Sequence, residues 1–364
     1  MSIVSPDHGR AGKRRRRRYL GITCLAVTSL VLASCGGGSS DSSSGSSGSD
    51  SSSSGDTTDI SVQLSWLPDS EFSPMFIADA EGIFEENGVS VEWIPGGPDI
   101  GTIEAIVGSG GADIGIATDI TSVIAAQADG SPFVVLGALY PHNLNGFISP
   151  QDAPIDTPEK LAGAKIGASQ GAQPKIEAIL SANDLDPTDY TFVPAGFGPD
   201  LVINGDVDTQ GVFITDEVIA YREETGEEPV LMKWDDIGMP SFTLTLFTTE
   251  DYLAENPEAV EAFLKSIQEG QELNEKDPEL GPNTVIDMFG DDFSDFTLEG
   301  EIAKNAEYLK YSHSDESKEN GYLWVDPGVV ESEVVAAMEL AGMKAGDVAE
   351  VINMTPLENI KSGS

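Results

Sequence analysis

Cysteine is almost missing from this chain. Of 364 residues only Cys24 and Cys35 carry a thiol. Past Cys35 there is consequently no disulfide, no cysteine nucleophile and no cysteine-rich metal site on offer. Histidine and arginine are nearly as scarce, with His142, His313 and the single Arg222 beyond that point. The two histidines are distant in sequence and outside any His-Glu-x-x-His spacing. Metal ligation is therefore not expected, and no cofactor is. Arg222 lies in a helical pattern among glutamates, which makes an arginine fork for an oxyanion nearly unavailable. Basic charge is short overall, at 19 Lys and Arg against 62 Asp and Glu. Without residues 1–34 the balance is 12 against 61, a net charge of −49. Nucleic acid is excluded as a partner, because phosphate binding needs clustered Lys and Arg. Such acidity suits a solvated surface in salty surroundings, where ions screen self-repulsion. Gly-x-Ser-x-Gly does not occur, so the nucleophile-elbow signature is missing.

Long hydrophobic runs are lacking too. Tyr19–Ala33 is an apolar run of 15 residues behind the basic block Lys13 to Arg18. That suits a signal-peptide core and is too short for a bilayer interior of about 30 Å. Leu32-Ala33-Ser34-Cys35 resembles the lipobox of a bacterial lipoprotein. The resemblance implies cleavage before Cys35 and lipid on its sulfur, with a second acylation on the new amino group for stable anchoring. Residues 1–34 are then a signal peptide. "RRRYLG" also resembles a twin-arginine export signal, which leaves the export route open. Residues 35–59 form the acylated cysteine and a Ser/Gly-rich tether expected to be disordered, with a span of roughly 27 Å.

About 305 residues follow, enough for two domains rather than one core. "SVQLSW" and "VSVEWI" alternate like strands, and Pro74 opens the helical segment between them, with Gly88 as its stop. Helix and strand patterns then alternate through "TIEAIVGSGGADIGIAT", "FVVLGALY", "AKIGASQGAQPKIEAILSAND" and "DTQGVFITDEVIAYREETG". Thr215 is expected as a helix cap and Gly226 as a stop. Such alternation predicts α/β units with largely parallel sheets, while from Glu255 onward the chain reads as helical. The layout predicts two lobes joined by two hinge crossings, at 145–150 and 242–247. Residues 60–146 with 242–364 form lobe 1, and 147–241 form lobe 2.

Ligands of α/β sheets sit beyond the carboxyl ends of the strands, where helix starts present free N–H groups. Three strand-to-helix turns place polar groups there: Thr118-Asp119, Ser169-Gln170-Gly171, and Thr215-Asp216-Glu217. Trp66, with Phe72 close behind, and Tyr140 at the first crossing could offer faces on which a flat ligand stacks. These residues other than Asp216 are the candidate binding set. Helix capping and core packing are the plainer alternatives.

Together "LSWLPDSEFSPMFIADAEGIFEENGVSVEWIPGGPD", "VGSGGADIGIATDI", "IDTPEKLAGAKIG" and "GMPSFTLTLFTTEDYLAENPEAVEAFLKSIQEG" resemble the substrate-binding proteins of ABC importers. The branch most similar serves thiamine-precursor pyrimidines, riboflavin, nitrate, sulfonates and taurine. The resemblance implies a type II periplasmic-binding-protein fold. It also implies a monomer outside the cytoplasm, held to the membrane by its lipid, that delivers a small molecule to a permease. "FITDEVI" is similar to the Thr-Asn-Glu segment of pyrimidine binders, with Asp216 in place of Asn. Carried over, Glu217 becomes the polar anchor and Trp66 a stacking face. A thiamine-precursor pyrimidine is favoured, with riboflavin or a nitrate-, sulfonate- or taurine-type anion as alternatives. A surface lipoprotein that binds a protein partner is the competing class.

One eukaryotic branch of this superfamily is a single-turnover pyrimidine synthase with a cysteine-rich motif and a sacrificial histidine. The lack of cysteine and the scarcity of histidine here lead to the expectation that the chain is not an enzyme.

Overall fold

In a computed structural model, residues 57–98, 100–293 and 296–363 are described. They fall in one compact unit. Ten strands form two five-stranded sheets. The first has the order β2-β1-β3-β10-β4, from Thr58–Gln63 (β1), Val89–Ile94 (β2), Ile114–Asp119 (β3), Phe133–Tyr140 (β4) and Thr243–Thr249 (β10). The second has the order β7-β6-β8-β5-β9, from Asn145–Ser149 (β5), Lys165–Ala168 (β6), Thr191–Pro194 (β7), Thr209–Phe213 (β8) and Val230–Lys233 (β9).

Both sheets are mixed, which corrects the expectation of largely parallel pairing. In the first, β1 runs parallel to β2 and β3, whereas β10 is antiparallel to β3 and β4. In the second, β6 runs parallel to β7 and β8, whereas β5 is antiparallel to β8 and β9. The reversed strand is in each case the one that has just arrived from the other sheet. The segments expected as crossings are thus themselves strands, and the links between sheets run over 141–144 and 234–242.

Local sequence explains most boundaries. All eight residues of β4 are buried, as a strand covered on both faces requires. Pro74 opens the Ser73–Ala80 helix and Pro174 the Gln173–Ala182 helix. The helix expected to continue to Gly88 breaks at Gly82, whose φ of +78° suits only glycine without strain, and restarts at Ile83–Glu86. Thr215 is not the cap of the Glu217–Thr225 helix. Asp216 holds that position, while Thr215 is buried and donates its hydroxyl to Asp216 Oδ2. Gly226, in the left-handed conformation, closes the helix.

The larger core joins the first sheet to the C-terminal helices, among them Pro257–Lys276 and Leu298–Tyr308. A second core gathers Phe147, Ile166, Ile176, Ile179, Met232 and Trp234. Ala337, on the Val335–Leu340 helix, belongs to this second core. The tail, expected to accompany the first sheet throughout, sends this helix against the Gln173–Ala182 helix. Among the described residues no helix is long and apolar enough to cross a membrane. Cys35 and the segments read as signal peptide and tether, up to residue 56, lie outside the described residues.

Candidate functional site

The carboxyl ends of the strands bring the two sheets into contact along a seam, and three sets of side chains bridge it. The first begins at Asp119, which ends β3 and caps the following helix through the Thr121 N–H at 2.9 Å. The Thr121 hydroxyl donates to the same oxygen. Its second oxygen meets Lys175 Nζ, from the helix after β6, at 2.6 Å. Burial alone would raise the Asp119 carboxyl. The Lys175 ammonium and the Thr121 bonds outweigh burial and hold it below its ordinary value.

The second bridge is aromatic. Trp66, just beyond β1, faces Phe197, beyond β7, with ring centroids 4.7 Å apart and planes at 54°. Phe197 is 69% exposed, more than any other large hydrophobic side chain among the described residues. Gly96 holds Trp66 in place: its N–H donates to the Trp66 carbonyl at 2.8 Å. A Cβ at Gly96 would lie 2.6 Å from the Trp66 nitrogen, so only glycine allows this approach. On the other side, Glu217 and Gln210 fix the loop carrying Phe197. The Gly198 N–H donates to Glu217 Oε1 at 3.4 Å, and Gln210 Nε2 donates to the Gly198 carbonyl at 2.6 Å.

The third bridge is ionic. Asp216, between β8 and its helix, meets Lys304 Nζ at 3.1 Å and accepts from the Tyr308 hydroxyl at 3.0 Å. Lys304 also contacts Asp69 at 2.7 Å and Glu301 at 3.8 Å. Burial pushes the Asp69 carboxyl up to about 7 despite Lys304, with Asp216 and Glu301 adding to the rise. The same three carboxylates keep the Lys304 ammonium protonated, its pKa raised in spite of burial.

The expected residues divide sharply. Trp66 and Asp119 lie in the seam. Thr118, Ser169, Gln170 and Gly171 are exposed at the adjoining strand ends. Thr215 is buried beneath Asp216. The Glu217 carboxylate is engaged by backbone N–H groups of its own half, accepting from Phe213 at 2.9 Å as well as from Gly198. Burial and the adjacent Asp216 raise its pKa. Phe72 and Tyr140 are corrected to core residues. Phe72 is wholly buried, edge-on to Phe76 at 6.0 Å, because it closes the Ser70–Phe72 turn against the core. Tyr140 is buried on the stacked face of Tyr308, 5.0 Å away, and donates to the Glu71 carbonyl.

Sequence reading missed Phe197, Lys175, Lys304 and, beside Lys304, Asp69 and Glu301. A signal existed for the lysines. With only 12 basic residues against 61 acidic beyond residue 34, each one is bound to collect carboxylates. His142 and His313 are brought together despite their separation in sequence. A ring nitrogen of His142 lies 3.1 Å from the His313 carbonyl, and Asp235 beside it raises the His142 pKa. His142 and Asp235 belong to the two inter-sheet links, which are further tied by the Asn143 N–H to Asp235. Among the described residues no group of three or more His, Cys, Asp or Glu is arranged to hold a metal ion.

A family model described as NMT1/THI5 like matches residues 69–280. The 4-amino-5-hydroxymethyl-2-methylpyrimidine phosphate synthase THI13 of Saccharomyces cerevisiae is 26% identical over 247 residues, covering 64% of this chain and 72% of the relative. The synthase of the same name from Legionella pneumophila is 26% identical over 226 residues, 60% of this chain and 70% of the relative. Among solved structures, the periplasmic aliphatic sulphonate binding protein SsuA of Escherichia coli matches with a TM-score of 0.60 at 18% identity, over 82% of this chain and 92% of that one. The fold is thus the two-lobe α/β architecture of type II periplasmic binding proteins. The expectation that the chain is not an enzyme is corrected by the relatives in sequence, which carry an enzyme's name. Scarce cysteine and histidine exclude particular side chains from a reaction and do not exclude a reaction.

Proposed function

Because this chain belongs to the NMT1/THI5-like family, we propose that it captures a small planar heterocycle, a thiamine-precursor pyrimidine before riboflavin, in the seam between its sheets. It does so outside the cytoplasm, tethered by a lipid on Cys35, as a monomer that passes its ligand to an ABC permease. The observation that carries this reading is the Trp66–Phe197 pair, one ring from each half. A flat solute stacked between them replaces one aromatic contact by two. The rings are too close at 4.7 Å to admit a third, so capture requires the halves to part and re-close about the links at 141–144 and 234–242.

An anion is disfavoured by how the cations are already used. Arg222 is held by Glu228, with Nη2 at 2.9 Å from Oε2. Lys175 and Lys304, the lysines of the seam, are each held by carboxylates. A nitrate- or sulfonate-type ligand would have to break these pairs or rely on backbone N–H groups at helix starts.

A thermal-shift screen of pyrimidines, flavins, purines, sulfonates and amino acids tests the proposal. A ligand at a hundred times its Kd adds about 2.7 kcal/mol to stability. A pyrimidine is expected to stabilise most, and Trp66→Ala and Phe197→Ala are each expected to weaken it at least about fivefold, the order of 1 kcal/mol for an aromatic contact. Stabilisation by sulfonates alone would replace the heterocycle by the anion. Mass spectrometry of the N-terminal peptide tests the anchor, with diacylated Cys35 expected and an unmodified cysteine counting against it.

The synthase relatives favour a second reading, in which the same seam holds a pyrimidine phosphate as product. Its appearance in single-turnover incubations followed by mass spectrometry would establish that reading.

A further inference from the structure

Three carboxyl groups meet one ammonium where the halves touch, and a fourth, Glu71, lies beside them against Tyr308. Asp69 and Glu71 come from the segment after β1, Glu301 and Lys304 from the Leu298–Tyr308 helix, and Asp216 from the second half. Asp69, Glu71 and Glu301 are 3%, 5% and 2% exposed. Three of the four carboxyls have an ammonium or backbone N–H donor. Asp69 takes the Glu71 N–H and Lys304, Asp216 takes Lys304 and the Tyr308 hydroxyl, and Glu301 takes the Ser70 N–H at 2.8 Å. Glu71 is different. Its Oε2 receives only the Tyr308 hydroxyl at 3.4 Å, and its buried Oε1 has no hydrogen-bond partner. A buried acceptor left without a donor is costly, the more so when charged.

We propose that this cluster receives the cationic end of the ligand, with Glu71 as its acceptor, and that the ligand is a planar organic cation such as an amidinium or a protonated amino-heterocycle. The inference rests on the seam being the ligand site and names the charge of what enters it. Amidine-type groups present two parallel N–H donors that match a carboxylate edge. A cation there meets the excess of carboxylates that Lys304 alone cannot neutralise. A metal ion does not fit, since among the described residues no such group has metal-holding geometry. An anion would meet net negative charge. Without a cation the cluster falls back on protons: burial raises the Glu71 pKa well above the carboxylate range, and neighbouring Asp69 and Asp216 add to it. Because Asp216 belongs to the second half, closing the seam completes the cluster around whatever has entered.

Three flat probes of one shape and different charge test this on the full chain at pH 8, by calorimetry and thermal shift: benzamidine, benzamide and benzoate. Benzamidine is expected to bind at least tenfold more tightly than benzamide, and benzoate most weakly. Glu71→Gln is expected to abolish the preference. Equal binding of benzamidine and benzamide, both weakened by Trp66→Ala, overturns the cation assignment and leaves the seam as the ligand site. A benzamidine preference that survives Glu71→Gln overturns the role of Glu71. Failure of all three probes to bind overturns both the assignment and the reading of the seam.

Discussion

Asp69 ties stability to pH in a direction opposite to that of an ordinary surface carboxylate. Its carboxyl is raised from 3.8 to about 7 by burial. Between those values the folded chain keeps a proton that the unfolded chain has released. The Asp69 contribution to stability is therefore greatest below pH 4, falls as pH rises toward 7, and levels off above it. At 1.36 kcal/mol per pKa unit the change is on the order of 4 kcal/mol. For a domain of this size 1 kcal/mol moves Tm by about 2 °C, so the effect is roughly 8 °C. Asp69→Asn removes the titrating group and keeps its shape. Calorimetry of both proteins from pH 4.5 to 8 is expected to show the wild type losing roughly 5–8 °C relative to the variant as pH rises. Carboxylates remote from this cluster titrate alike in both proteins and cancel in the difference, whereas Glu71, whose pKa Asp69 helps to raise, titrates lower in the variant. A difference that stays constant across this range would refute the reasoning.

Three further outcomes follow from named contacts. Lys175→Ala leaves Asp119 buried without its cation and is expected to cost about 2 kcal/mol in urea denaturation; since the Asp119 pKa is lowered, the contribution disappears as pH falls below the ordinary carboxylate value of 3.8. Phe72→Ala is expected to cost about 3 kcal/mol of stability as a core cavity, with ligand affinity in the folded fraction unchanged. Glu217→Gln is expected to loosen the loop carrying Phe197 and to weaken basic and uncharged heterocycles equally in calorimetry; a loss confined to basic ones would restore Glu217 as a direct ligand contact.

Much of the fold was legible because its signals are local. Pro74, Pro174 and Gly226 mark helix ends through their own backbone chemistry, and the alternating strand and helix patterns identify α/β units. Strand direction was not legible. The pattern of "SFTLTLFTT" carries no sign of β10 running antiparallel to both neighbours, which depends on the link that delivers it. The site was legible only in part for a similar reason. Trp66 and Asp119 stand out by their place after strands. Their partners Phe197 and Lys175 lie on the other half of the molecule and are known only once it folds. Phe72 and Tyr140 show the converse, since an aromatic beside a turn reads the same whether it faces a ligand or the core. The Phe197 segment "PAGFGP" does carry a local hint, an aromatic held among glycines and prolines where little can bury it.

The central claim is that two halves close on a ligand, and the distance between them tests it most directly. The described residues contain no cysteine. With Cys24 and Cys35 changed to Ser, spin labels at Glu92→Cys on β2 and Thr191→Cys on β7, the outer strands of the two sheets, report that distance by pulsed electron paramagnetic resonance. Saturation with the most stabilising heterocycle is expected to shift and narrow the distance distribution. A distribution identical with and without saturating ligand would contradict the account.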